Sequence, residues 1–133
     1  MAKKIENLDL PNEATVKKYN ILSELINSLI LETKELSKKK PDEALNKLKI
    51  KMINRVLDQL KEILKNQPTI EFLDLLDEDG LPTNSDAVLI LGQFRAAMDQ
   101  FKKSYNGRTT QYESSRRWFT QENPGKHYKS PKF

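Results

Sequence analysis

The 133 residues include no cysteine, which removes disulfides, thiolate catalysis and cysteine-ligated zinc together and suits a reducing compartment. Glycine is scarce. Only four occur, none between residues 12 and 66, and this favours long helices over turn-rich β structure. Nowhere do apolar residues continue for the roughly 18–20 positions that a membrane span requires. Met1-Ala2-Lys3-Lys4-Ile5-Glu6-Asn7 has no apolar stretch behind its lysines, as a secretory signal would. A cytoplasmic protein without membrane attachment is expected.

Histidine is nearly absent too, and the single His127 stands close to the C-terminus. No Gly-x-Ser-x-Gly elbow accompanies it, and neither helix-borne Glu-x-x-His pair of a di-iron bundle is present. Gly125-Lys126 lacks the earlier glycine of a phosphate-binding loop. The acidic run Asp77-Glu78-Asp79-Gly80 fails as a calcium loop, because aligning its glycine puts Leu75 where the first oxygen ligand belongs. No catalytic residue, cofactor or resident metal is expected. A hydrolase or nuclease using carboxylate-bound Mg²⁺ is the third functional class considered.

What the chain does have is helical periodicity. Tyr19, Leu22, Leu25, Ile26, Leu29, Ile30 and Leu36 recur at three- and four-residue steps and predict a helix from about 12 to 38, capped by Asn12 or Asp9. Lys38-Lys39-Lys40 suits its negative end, and Pro41 stops it. A second helix is predicted from Pro41-Asp42-Glu43 to Asn66, with Leu45, Leu48, Met52, Ile53, Val56, Leu57, Leu60, Ile63 and Leu64 on one stripe. Residues 67–83 predict a helix of one or two turns and then an acidic loop.

Thr83-Asn84-Ser85-Asp86 reads as a capping box ahead of a heptad seam, Ala87, Leu91, Phe94, Met98, Phe101 and Tyr105. Gly92 costs this helix about 1 kcal/mol relative to alanine, and close approach by a neighbouring helix is the expected compensation. Asn106-Gly107 is expected to end the helix with a left-handed glycine. The fold class is therefore all-α: three long helices plus one short helix in an antiparallel bundle, with a basic C-terminal tail. Residues 1–11 form a lead-in, 12–107 the bundle and 108–133 the arm.

Charge is segregated. Residues 102–133 hold eight cations against two carboxylates, a net +6, whereas the first 101 residues carry a net −2. Tyr105, Tyr112, Trp118, Phe119, Tyr128 and Phe133 are interleaved with those cations. Such an arm suits an acidic partner. Lys102, Lys103, Arg108, Tyr112, Arg116, Arg117, Trp118, Phe119, Lys126 and Tyr128 are the candidate partner-binding residues.

Aromatic and arginine clusters of this kind anchor protein interfaces, so a protein partner or larger assembly is favoured. The alternative is an RNA- or DNA-binding accessory protein, with cations on phosphates and Tyr112, Trp118 and Phe119 stacked on unpaired bases. A solvated tail, or one that folds back on its own bundle, is the remaining reading.

Overall fold

A computed structural model of the chain describes residues 10–108 and 115–125. Helix α1 spans Glu13–Lys39, α2 Lys47–Leu64 and α3 Asn84–Tyr105. The only other regular elements among the described residues are short 3-10 turns and a two-stranded ladder.

Local chemistry sets the ends of α1. Asn12 accepts from the Thr15 amide at 2.7 Å, Glu13 lies in the first turn, and Lys38 and Lys39 lie in the last. Tyr19, Leu22 and Ile26 fall on its buried face, as the periodicity predicts.

Helix α2 begins later than predicted. Residues 40–45 do not wind into a helix because their backbone groups pair with the chain entering α3. The Leu45 amide donates to Pro82 O at 2.9 Å, Asn84 N donates to Glu43 O at 3.0 Å, and Ser85 N donates to Pro41 O at 3.1 Å. The Asn84 side chain adds a bond to Lys40 O at 2.8 Å. Only after this bridge does Asn46 cap α2, accepting from Lys49 N at 2.8 Å. Pro41-Asp42-Glu43 therefore opens a connector rather than a helix.

The segment expected as a short helix is a 3-10 turn, Pro68–Phe72, followed by extended chain through residues 73–77. Asn54 on α2 holds that chain, donating to Leu76 O and accepting from Leu76 N, both at 2.9 Å. A second 3-10 turn, Glu78–Gly80, is capped by Asp77 and leads through Leu81, whose φ of 52° is left-handed, into α3. The Thr83–Asp86 capping box is present with both reciprocal bonds.

The three helices share one core. Leu57, Leu60 and Leu64 from α2 and Leu91, Phe94 and Met98 from α3 pack with Tyr19, Leu22 and Ile26. Leu25, Leu48 and Met52, expected on the apolar stripes, are instead about half exposed or more, because each stripe is wider than the contact that covers it. Arg95 ties α3 to α1, donating to Ser23 Oγ at 3.0 Å and Asn27 Oδ1 at 3.1 Å. It also pairs with Asp99 at 2.7 Å.

Helix α3 does not end in a left-handed glycine. Asn106 is extended at φ −132°, and Asn106–Gly107 (β1) pairs antiparallel with Arg117–Trp118 (β2). The packing thus continues past the expected domain boundary at residue 107. Phe119 is 1% exposed, its amide donates to Tyr105 O at 2.8 Å, and Trp118 packs edge-on to Tyr19 with ring centroids 5.0 Å apart. Gln121 reaches the segment that leads into α1, its amide donating to Pro11 O at 2.9 Å and its side chain to Leu10 O at 2.8 Å.

Candidate functional site: a basic cleft at the end of α3

Of the ten residues singled out by charge and aromaticity, Tyr112, Lys126 and Tyr128 lie outside the described residues. His127 does too. The other seven divide sharply by where they point.

Trp118 and Phe119 are turned inward. Tyr19, Phe101 and Trp118 form one aromatic cluster, with Tyr19 stacked on Phe101 at 5.6 Å and Tyr105 edge-on to Phe101 at 5.0 Å. Arg117 lies over the neighbouring Phe119 ring. Its guanidinium carbon stands 4.6 Å from the Phe119 ring centroid, while Nη1 donates to Trp118 O at 3.0 Å and Asn123 O at 3.1 Å. Both bonds come from Nη1 and the ring covers one face, so this guanidinium is anchored to its own chain. Gly125, at φ 52°, packs against the same guanidinium, and a side chain there would collide with it.

Lys102, Lys103 and Arg116 do meet. With Asn106 and Asp99 they line a cleft of about 210 Å³ where α3 gives way to β1. Arg116 Nη2 donates to Asn106 O at 3.1 Å, which holds one side of that guanidinium in place. Among the described residues, Asp99 is the one carboxylate in the cleft, and it is engaged by Arg95 through bonds of 2.7 and 3.1 Å. Three cations therefore surround a space whose only acid among the described residues is already matched. Cations also suit the negative end of a helix, so part of this cluster serves α3 itself. Arg108 is half-buried nearby in sequence and has interactions of its own. Asp99 and Asn106 were not legible as members of this site; their signal was only the i−3 and i+3 helical spacing around Lys102 and Lys103.

Two larger concavities lie elsewhere. One of about 670 Å³ is bordered by Lys18, Glu62, Lys65, Gln67, Tyr105 and Gln121, near where Gln121 meets Leu10 and Pro11. Lys65 hydrogen-bonds Glu62 at 2.7 Å, and that bond and charge hold the Glu62 carboxyl below the usual carboxylate range. Tyr105 OH accepts from Gln67 at 3.2 Å. Among the described residues, no imidazole lines this space, and the chain has no thiol. The other, about 630 Å³, separates the Pro68–Phe72 turn from α3 and is lined by uncharged residues.

Among the described residues, no group of three or more acidic or histidine side chains is placed to hold a metal ion. Asp77, Glu78 and Asp79 are exposed, and Asp77 spends one oxygen on the Asp79 amide at 3.1 Å. A core group also has a shifted acidity. Burial pushes the Tyr19 phenol above its ordinary value of 10.0, partly offset by the charge of Arg95. Its hydroxyl donates to Met98 O at 2.8 Å, so it is a structural pin rather than a proton carrier. No helix among the described residues is long and apolar enough to cross a membrane. Comparison of the chain with protein-family models, with curated proteins and with solved structures returns no match.

Proposed function

We propose that the chain is a non-enzymatic helical interaction module, a small regulatory or assembly subunit that docks on an acidic protein partner. In this reading α1 runs antiparallel to α3, which the order of contacts supports: Tyr19 meets Met98, while Asn27, further along α1, meets the earlier Arg95. Helices α2 and α3 run the same way, since Leu45 meets Pro82 at their starts and Gln67 meets Tyr105 at their ends. The Pro68–Phe72 turn stands in place of the shorter fourth element. The protein acts in the cytoplasm, without cofactor.

The observation that carries the proposal is the convergence of Lys102, Lys103 and Arg116 around a carboxylate already matched by Arg95. An acidic side chain entering there gains charge-assisted hydrogen bonds without displacing an existing ion pair. The docking element is thus narrower than the whole arm, because Trp118 and Phe119 are occupied by the core. Their burial also removes two of the three rings expected to stack on bases, which weakens the nucleic-acid reading relative to the protein one.

The test is fluorescence anisotropy with a labelled glutamate-rich peptide and, separately, a labelled single-stranded oligonucleotide, each across a salt series. The peptide should bind, weaken with salt, and be lost with Lys102→Glu plus Arg116→Glu. Failure to bind the peptide at low salt sinks the proposal. Tighter oligonucleotide binding, with a log–log salt slope near −0.7 for each phosphate engaged, puts nucleic acid first.

A further inference from the structure

One face of α3 points away from the core. Leu89, Gly92, Gln93, Ala96 and Gln100 recur along it at helical steps, and all are exposed. A Cβ built on Gly92 would meet nothing within 4 Å. The close approach expected at this glycine is therefore not made by any described part of this chain, although glycine in a helix interior is unfavourable.

Beside that stripe runs the uncharged groove of about 630 Å³, walled by Phe72, Leu73, Ala97 and Phe101. Leu89 is 64% exposed and Phe72 65% exposed. In a chain with 32% charged residues, a groove with no charged lining residue has the composition of an interface centre rather than of a wet surface. The Thr69 hydroxyl belongs to the same wall and is buried with no hydrogen-bond partner among the described residues. Buried polar groups are seldom left so.

We propose that a second copy of the chain docks on this face, α3 against α3 in antiparallel order about a twofold axis. The face is self-complementary. A register that sets Gln93 opposite Ala96 of the copy also sets Leu89 opposite Gln100, beside Phe72 and the groove. The same register sets Asp86 opposite Lys103, so unlike charges meet at both ends of the contact. Because the axis is twofold, each contact is made twice. Gly92 and Ala96 lie at the centre, where short side chains let the two helices close together. Lys102 and Arg116 of the basic cleft lie outside this stripe, whereas Lys103 is shared between the cleft and the end of the dimer contact. Leu89→Glu therefore tests the dimer, and Lys102→Glu plus Arg116→Glu the acidic-partner reading, without touching the shared residue.

The surface most able to compete for a second copy is the α1–α2 seam, where Leu25 and Met52 are exposed, and it supplies the control. Because the chain lacks cysteine, Ala96→Cys and Leu25→Cys each introduce a single thiol for a short bis-maleimide cross-linker. Sedimentation of the unmodified chain should show a species of twice 15.5 kDa that dissociates on dilution. Ala96→Cys should cross-link efficiently and Leu25→Cys poorly. Leu89→Glu should raise the dissociation constant at least about tenfold with an unchanged circular dichroism spectrum, whereas Leu25→Glu should leave it unchanged. A monomer at every concentration overturns the proposal. So does faster cross-linking through Leu25→Cys, or a dimer indifferent to Leu89→Glu.

Discussion

Phe119→Ala tests whether the C-terminal segment belongs to the core. Phe119 is 1% exposed, its backbone is bonded to Tyr105, and the Arg117 guanidinium stacks on its ring. Truncating a buried phenylalanine to alanine costs about 3–5 kcal/mol, from lost transfer energy and the cavity left behind. A domain of this size has about 5–15 kcal/mol in all. At about 3–5 °C per kcal/mol, the melting temperature should fall by roughly 10–20 °C.

Thermal and urea melts followed by circular dichroism are the assay, with Lys102→Ala as the exposed control, expected within about 0.5 kcal/mol of the unmodified chain. The urea midpoint should fall while the slope stays the same, as for lost packing rather than an altered unfolded state. Truncation after Arg108 should be more damaging, because Trp118 leaves the Tyr19–Phe101 cluster at the same time. A Phe119→Ala protein that melts like the unmodified chain would refute the reasoning. The bundle over residues 12–107 would then be self-sufficient and the segment merely laid against it.

Asn54→Ala should cost about 2–3 kcal/mol in the same melts, since it breaks two bonds to Leu76 and leaves part-buried backbone groups unpaired; a loss under about 0.5 kcal/mol would mean that Leu76 is held by packing alone. Stability should also fall above about pH 10, for a reason that can be isolated. The Tyr19 phenol is pushed above 10.0 in the folded chain by burial, so the unfolded chain ionises first. The Tyr19 contribution is complete below pH 10 and is lost as pH rises beyond it, by at most about 1.4 kcal/mol per pH unit. Urea midpoints at pH 8 and pH 11 should therefore differ less in Tyr19→Phe than in the unmodified chain, and equal differences would remove Tyr19 as the source.

The helices were legible because their signals are local. Asn12, the Thr83–Asp86 box and the seam from Ala87 to Phe101 act within a few residues of themselves, and each does in the fold what its spacing predicts. The start of α2 was not legible, because two candidate openings were present and a distant segment chose between them. Pro41-Asp42-Glu43 has the proline and acids of a first turn, but Pro82, Asn84 and Ser85 claim its backbone groups, so Asn46 becomes the cap. The Gly107 cap failed for a similar reason: Arg117 and Trp118 offer a strand partner that no local rule anticipates.

The C-terminal segment marks the limit of reading a site from composition. A run of arginines and aromatic rings is equally suited to another molecule and to the chain's own open end, because both are apolar surfaces rimmed by acceptors. What separates the two is the state of the bundle end. Tyr19, Phe101 and Tyr105 place three large rings at the same level of two helices, with Gln67 of the following connector bonded to the Tyr105 hydroxyl. Such an end draws the nearest free aromatic, and Trp118 lies only thirteen residues beyond Tyr105, across a ladder that turns the chain back. Once Trp118 and Phe119 are used this way, Arg117 follows them inward, and among the described residues of the arm what reaches solvent is charge without rings. The arm reads as bait for a partner; folded, it leaves Lys102, Lys103 and Arg116 to meet one.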